Sequence, residues 1–201
     1  LILGLLSAVG PFAIDMYLPA MPAIALDLGA DVTAVQLTLT AYFVAFGVAQ
    51  LFYGPWADQS GRKLPLYFGV CVFALATIGC ALAPTIGWLV VFRALQGLGG
   101  AVLMVVPRAV IRDMHTGTEA TKLMAMVMLV ISVSPMLAPL AASGLIVIGD
   151  WRLIFWALAL AAVLSLILTA TALPETLEPS KRVAINFRNL GKGGRTLFRD
   201  P

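Results

Sequence analysis

Apolar residues in this chain run in long stretches that ionic residues interrupt only rarely. A helix rises about 1.5 Å per residue, so about 20 apolar residues cross the hydrocarbon core of a bilayer. Barrel strands instead alternate polar and apolar positions over about 10 residues, a pattern that these stretches lack. The pattern therefore predicts an all-α membrane protein. The stretches without Asp, Glu, Lys or Arg are Val32–Ala57, Leu64–Phe92, Leu123–Gly149 and Leu153–Pro174.

Helix-breaking residues divide these stretches into six predicted spans. The breaks fall at Gly29 with Asp31, between Pro84 and Gly87, and at Gly149 with the next residue. The first span lacks the basic beginning of a signal peptide and carries an acidic residue, so it is interpreted as a genuine span. The spans are predicted at Leu1–Leu26, Val35–Trp56, Leu64–Ala83, Gly87–Val110, Leu123–Ile148 and Leu153–Leu173.

Composition and charge support this picture and predict an orientation. Of the 201 residues, 61% are hydrophobic and 11% are charged, against roughly 25% charged in soluble domains. Most of the 13 Lys and Arg follow the second, fourth and sixth spans, so the positive-inside rule places these segments and both termini in the cytoplasm. The net charge of +3 arises on this face and does not indicate a nucleic-acid partner.

Two charged residues lie well inside predicted spans, away from the ends: Asp15 in the first and Arg93 in the fourth. An ionised group at membrane depth costs roughly 2.5–3.5 kcal/mol on insertion scales, so it normally faces a partner or a wet cavity. Both residues fall in the outer half to middle of their spans, at similar depth. Two interpretations remain open: a salt bridge that only joins two helices, or a titratable carboxylate in a central cavity that the guanidinium biases.

Four sequence segments resemble motifs of the major facilitator superfamily, in the right order and each on the expected span. GPWADQSGRKLPL (54–66) resembles its loop signature, and LVVFRALQGLGGA (89–101) its fourth-span signature, with Arg93, Gln96 and Gly97 in register. DMYLPAMP (15–22) and SPMLAPLAASG (134–144) resemble motifs of the 12-span drug:proton antiporters, especially the bicyclomycin-resistance branch, which WRLIFW and LPET also fit. The resemblance covers residues 1 to about 180.

The resemblance implies a fold and a set of site residues. The fold is a six-helix bundle, one half of a major facilitator fold with a 3+3 inverted repeat. The loop would act as a cytoplasmic latch, although its charges would also suit a purely topological role. Trp56 and Gln59 depart from the loop pattern, and Ala142 with Ser143 replaces a Gly-Gly pair. The latch residues are Gly54, Asp58, Gly61, Arg62, Lys63 and Asp113, and the antiporter-motif residues are Pro135, Ala138 and Pro139.

The implied function is proton-coupled efflux of a small molecule from a bacterium through its inner membrane. Asp15 would carry the proton beside Arg93 and Gln96, with no cofactor other than the coupling ion. The spans hold few other polar groups, which favours an amphiphilic or lipophilic substrate over a sugar. Residues 1–174 would form the N-terminal half, and residues 175–201 a basic linker to a missing second half.

Other function classes remain open at this point. A facilitator or importer of the same fold and a non-transporting membrane scaffold are both alternatives. The single His115 lies in a polar loop, and no cluster of nucleophiles or metal ligands accompanies it, which argues against an enzyme. The expected partners are the substrate, protons, membrane lipid and the second half.

Overall fold

The computed structural model describes residues 2–182, and within them the chain is helical, with short turns and no strand. The part of the predicted linker from 183 to 201 lies outside the described residues. Two short 3-10 helices, Leu18–Ala20 and Pro179–Lys181, accompany the α-helices. The α-helices are α1 (Ile2–Asp15), α2 (Met21–Asp27), α3 (Val32–Ser60), α4 (Lys63–Ala81), α5 (Ile86–Gly100), α6 (Val102–Met114), α7 (Gly117–Ile148) and α8 (Arg152–Ala172).

These helices form six segments that are long and apolar enough to cross a membrane, as predicted. Helices α1 and α2 together make the first span, and α5 and α6 make the fourth. Successive connections alternate between the two ends of the bundle. We call the end with the α3–α4 and α6–α7 connections the basic end, because it carries Arg62, Lys63 and Arg112, and the other the opposite end.

Several helices extend beyond the predicted spans. Helix α3 runs from Val32 to Ser60 and continues through Pro55, so Asp58 belongs to its last turn and not to a loop. Helix α7 starts at Gly117, well before the predicted Leu123. Hydropathy marks only the segment that lies in hydrocarbon, whereas a helix continues into the polar interface for as long as its backbone hydrogen bonds persist.

The first and fourth spans were predicted as unbroken helices, and both are interrupted. In the first, α1 ends at Asp15 and the 3-10 helix follows before α2, with prolines at the start of both later pieces. Proline lacks an N–H group and cannot complete the helical ladder. In the fourth, the single residue Ala101 separates α5 from α6 directly after Gly99 and Gly100; it keeps helical backbone angles and donates its N–H to the carbonyl of Gly97. By contrast, α7 continues through Pro135 and Pro139.

Glycines allow the central spans to approach closely. Helix α5 packs along both α3 and α4. A Cβ atom on Gly97 would meet the carbonyl oxygen of Tyr42 well inside van der Waals contact, and one on Gly99 would meet the backbone of Phe73 in the same way. Close approach through small residues is how helices associate in lipid, where no hydrophobic drive exists between them. The fourth span therefore packs tightly between the second and third spans.

Candidate functional site

The site begins with the buried Arg93 on α5, which is fully inaccessible to solvent. One amino group, Nη1, donates to the backbone oxygen of Ala13 at 3.2 Å and to Oε1 of Gln96 at 2.5 Å. Gln96 lies one turn further along α5, and its Nε2 donates to the hydroxyl of Thr77 on α4 at 2.8 Å. A hydrogen-bonded chain therefore connects the first, fourth and third spans.

Two aromatic rings cover the charge of Arg93. The guanidinium carbon lies 4.3 Å from the ring centre of Tyr17 and 4.5 Å from that of Tyr42. A cation over an aromatic face is attracted by the ring quadrupole, worth about 2 kcal/mol or more when desolvated. Nε and Nη2 of Arg93 have no hydrogen-bond partner among the described residues. Aromatic faces and neutral oxygens thus surround this cation.

Asp15 is half-buried at the end of α1 and contacts a different span. Ser134 of α7, which is 1% exposed, donates its hydroxyl to Oδ2 of Asp15 at 3.2 Å. No ion pair joins Asp15 to Arg93 in the described part of the chain. The salt-bridge interpretation is therefore wrong.

Helix rotation explains why the two charges do not pair. Ala13 and Tyr17, four residues apart, both contact Arg93. A helix turns about 100° per residue, so Asp15, two residues from each, points to nearly the opposite side. Depth along the membrane could be counted from the sequence, whereas the direction of each side chain could not. The role of Asp15 in proton coupling stays a prediction.

The latch residues meet at the basic end around Arg62, whose side chain is 7% exposed. Its Nε and Nη2 donate to the two carboxylate oxygens of Asp113 at 2.7 and 3.1 Å, and its Nη1 donates to Asp58 at 2.6 Å. Burial would lower the pKa of Arg62, but its hydrogen bonds to Asp113 and Asp58 outweigh burial and raise it. The sequence-based expectation of an ionic network of these three residues is confirmed as geometry, while its role in gating stays a prediction.

Glu175 is a further member of this cluster that sequence reasoning missed. Its carboxylate accepts the backbone N–H groups of Arg62 at 2.8 Å and Lys63 at 3.1 Å, where α4 begins, and that of Leu177 at 3.1 Å. Burial raises the pKa of Glu175, but these three hydrogen bonds lower it below the ordinary value. The available signal was the LPET segment, and the residue belongs to the start of the predicted linker, which therefore contacts the bundle.

The two glycines of the latch segment differ. Gly61 has a positive φ of 93°, and a Cβ atom there would lie 2.7 Å from Oε2 of Glu175, so this turn requires glycine. Gly54 lies in open space, because a Cβ atom on it would meet nothing within 4 Å among the described residues. The ammonium group of Lys63 lies 5.7 Å from the ring centre of Tyr67.

The predicted antiporter motif lies on α7, which packs against α1. Ser134, Ala138 and Ala142 recur every four residues and are all buried, so they form the inward face of the helix. Pro135 is exposed and Pro139 is half-buried. The small residues bring α7 close to the end of α1, where Asp15 lies.

The opposite end carries a second ionic contact that sequence reasoning did not find. Nη1 of Arg152 donates to Asp27 at 2.7 Å, and the indole N–H of Trp151 donates to the same carboxylate oxygen at 3.2 Å. The Arg152 guanidinium also lies 4.3 Å from the Trp151 ring centre. The contact joins the end of the first span to the start of the sixth.

A six-span helical bundle with a buried arginine at its centre and an arginine–carboxylate cluster at one end defines a multi-pass membrane protein. The family model of the Major Facilitator Superfamily matches residues 3–201. The chain belongs to that superfamily, as its motifs predicted.

Relatives of the chain agree with this family. The chain is 39% identical over 201 residues to the uncharacterized MFS-type transporter YdgK of Bacillus subtilis (strain 168), covering 99% of this chain and 50% of that protein. It is 32% identical to a bicyclomycin resistance protein homolog of Haemophilus influenzae, covering 99% and 50%. It is 34% identical to multidrug resistance protein D of Escherichia coli (strain K12), covering 98% and 51%. The chain thus spans about half the length of these relatives.

The solved structures support the fold alone. The human organic anion transporter MFSD10 matches with a TM-score of 0.74 at 17% identity, covering 95% of this chain and 51% of that one. The proton:xylose symporter XylE matches with a TM-score of 0.75 at 16% identity, covering 87% and 44%. The predicted six-helix half of a major facilitator fold is confirmed.

Proposed function

We propose that this chain forms the N-terminal half of a proton-coupled exporter of small amphiphilic or lipophilic molecules. The observation that carries the proposal is Asp15, a half-buried carboxylate within a membrane span that has no ion-pair partner among the described residues. A carboxylate within a membrane span is the kind of ionisable group that forms proton relays in transporters. The names of relatives that concern multidrug and bicyclomycin resistance support export as the direction.

The contact between Asp15 and Ser134 suggests how protonation moves helices. Ionised Asp15 accepts the Ser134 hydroxyl and ties α1 to α7. Protonation removes the negative charge and weakens this charge-assisted hydrogen bond. Helix α7 then shifts relative to the broken first span, and Pro135, next to Ser134, permits a local bend. A substrate that competes for the ionised state would couple its export to proton entry.

The ionic cluster at the basic end provides the second part of the mechanism. We place this end in the cytoplasm of a bacterium, because basic residues concentrate there. Arg62 joins the end of α3 to the end of α6, and Glu175 joins the exit of the sixth span to the start of α4. Such contacts favour one arrangement of the spans by a few kcal/mol, which is the scale that controls two-state populations.

Transport by the full-length protein in everted inner-membrane vesicles tests the function. Asp15→Asn should abolish substrate accumulation driven by a pH gradient, because the amide cannot carry the proton. Asp31→Asn is the matched control: Asp31 caps α3 by accepting the N–H of Ala34 at 2.7 Å, and asparagine caps equally well. This control should transport like the wild type.

Two outcomes would contradict the proposal. If Asp15→Asn kept pH-driven accumulation, Asp15 would have no part in coupling. If the wild type moved substrate only down its own gradient, or out of everted vesicles, the protein would be a facilitator or an importer of the same fold.

A further inference from the structure

A pocket of about 310 Å³ opens between the second, fourth and fifth spans, towards the basic end of the bundle. We propose that this pocket, which we call the arginine pocket, binds the acidic group of an amphiphilic anion through Arg108 and Arg112. As a class of substrate for export the anion rests on the proposed function, whereas its binding does not. The lining residues are Gln50, Met104, Val105, Arg108, Arg112 and Met124.

The arginine pocket is separate from the two sites described above. Arg108 lies about four helical turns after Arg93 along the fourth span, roughly 22 Å nearer the basic end. The pocket is also distinct from the cluster around Arg62, because none of its lining residues belongs to that cluster. Neither the buried Arg93 nor the latch residues therefore account for it.

The two arginines of the pocket carry charges that no carboxylate opposes in the described part of the chain. They are four residues apart on α6, so they lie on one face of the helix, where like charges repel. The next residue along the chain, Asp113, accepts hydrogen bonds from Arg62 with both of its carboxylate oxygens. The arginine pair costs stability by itself, and a bound anion would relieve the repulsion.

Arg108 also has hydrogen-bonding capacity that its neighbours do not satisfy. The residue is half-buried, and its Nε is buried with no hydrogen-bond partner among the described residues. Its Nη2 donates to the sulfur of Met104 at 3.7 Å, and a thioether is only a weak acceptor. A carboxylate or a phosphate accepts two parallel hydrogen bonds from a guanidinium, so an oxyanion is the ligand that suits this group.

The remaining walls of the pocket favour an apolar segment next to the acidic group. Met104, Val105 and Met124 are half-buried and come from two different spans. Methionine is flexible and adapts to irregular shapes, which suits ligands of varied structure. Small-molecule pockets measure about 300–1,000 Å³, so the arginine pocket is large enough for an acidic group with a short apolar segment.

Two sources present this chemistry. One is a dissolved amphiphile with a carboxylate or phosphate group, which would be a substrate of the proposed exporter. The other is an anionic phospholipid, because basic pockets between membrane helices on the cytoplasmic side also bind lipid headgroups. The shared chemistry is an oxyanion attached to an apolar chain, and the experiment separates the two sources.

Calorimetric titration of the full-length protein in phosphatidylcholine nanodiscs with octanoate at pH 7 tests the first source. Octanoate is ionised at this pH, whereas octanamide has the same chain without the charge. Octanoate should bind at least about tenfold more tightly than octanamide, and Arg108→Gln should weaken octanoate binding at least about tenfold. Lys122→Gln is the matched control, because it removes the same charge from an exposed position of α7 outside the pocket. This control should bind octanoate like the wild type.

A second variant keeps the test decisive if Arg108→Gln does not fold. Arg112 is exposed in the last turn of α6, so Arg112→Gln should fold and should also weaken octanoate binding. Native mass spectrometry of the proteins from nanodiscs with phosphatidylglycerol tests the second source. Phospholipid retained by the wild type and Lys122→Gln, but lost from the two arginine variants, would identify a lipid headgroup as the oxyanion.

Equal binding of octanoate and of phosphatidylglycerol by all four proteins, or binding of neither by the wild type, would overturn the inference. The proposed function fails on a different result, namely pH-driven export that persists in Asp15→Asn. The two failures are distinguishable, because the binding measurements do not depend on transport.

Discussion

The two carboxylates that bind Arg62 should differ sharply in their contribution to stability. Asp113 accepts two of the three side-chain hydrogen bonds of Arg62, and its side chain is 17% exposed. Asp58 accepts one, and its side chain is 55% exposed. The resemblance to the family loop predicts that both carboxylates belong to one network, whereas the structure shows that Asp113 is the more buried and makes more hydrogen bonds. We therefore compare Asp113→Asn with Asp58→Asn, two substitutions that are identical in chemistry.

The magnitude follows from exposure and geometry. A hydrogen bond to a charged group contributes about 1.5–3 kcal/mol, and a bidentate arginine–carboxylate contact is among the strong ones. Asparagine keeps one carbonyl oxygen, so Asp113→Asn should lower the free energy of unfolding by about 2–3 kcal/mol. An exposed ion pair is worth about 0–1 kcal/mol because water screens it, so Asp58→Asn should cost less than 1 kcal/mol. A difference of about 2 kcal/mol is roughly a 30-fold change in the unfolding equilibrium.

Denaturant unfolding of the purified full-length protein in detergent micelles measures both changes. A double-mutant cycle with Arg62→Gln isolates each pair, and the coupling energy of Arg62 with Asp113 should exceed that with Asp58. Equal losses in the two variants, or a larger loss in Asp58→Asn, would refute the argument from burial.

Two further predictions concern stability. Gly97→Ala should lower the free energy of unfolding by about 1–3 kcal/mol, because the added methyl group overpacks against Tyr42. In the control Gly10→Ala, the Cβ atom would lie 4.0 Å from its nearest neighbour, so the free energy of unfolding should stay the same or rise. Equal effects of the two substitutions would contradict the packing argument. Glu175→Gln should lower the free energy of unfolding by about 1 kcal/mol at pH 7, because solvent screens the contact. The control Glu119→Gln, at a side chain that is 81% exposed, should lower it by less. Because the pKa of Glu175 lies below its ordinary 4.5, its contribution is complete above pH 4.5 and disappears as pH falls through the lower folded-state value. A constant difference between wild type and Glu175→Gln down to pH 3 would contradict it.

Span number and family could be predicted because each depends on local sequence. A run of about 20 apolar residues forms a helix in lipid wherever it lies in the chain, because its backbone N–H and C=O groups can find hydrogen-bond partners only within the segment itself. Motif segments such as GPWADQSGRKLPL can likewise be identified from the sequence alone, in their order along the chain. The network of Asp58, Arg62 and Asp113 followed from this likeness. The breaks after Asp15 and at Ala101 did not, because glycine and proline permit a break without requiring one.

The amino-acid sequence by itself determined which segments enter the membrane and which residues bring charge into it. Only the tertiary structure decided what each charge contacts: Arg93 lies between two tyrosine rings, Asp15 accepts the Ser134 hydroxyl, and Glu175 binds the start of α4. The physical reason is that hydropathy is a property of a short window of residues. The partner of a side chain depends instead on helix rotation and on helix crossings set by residues far apart in the chain.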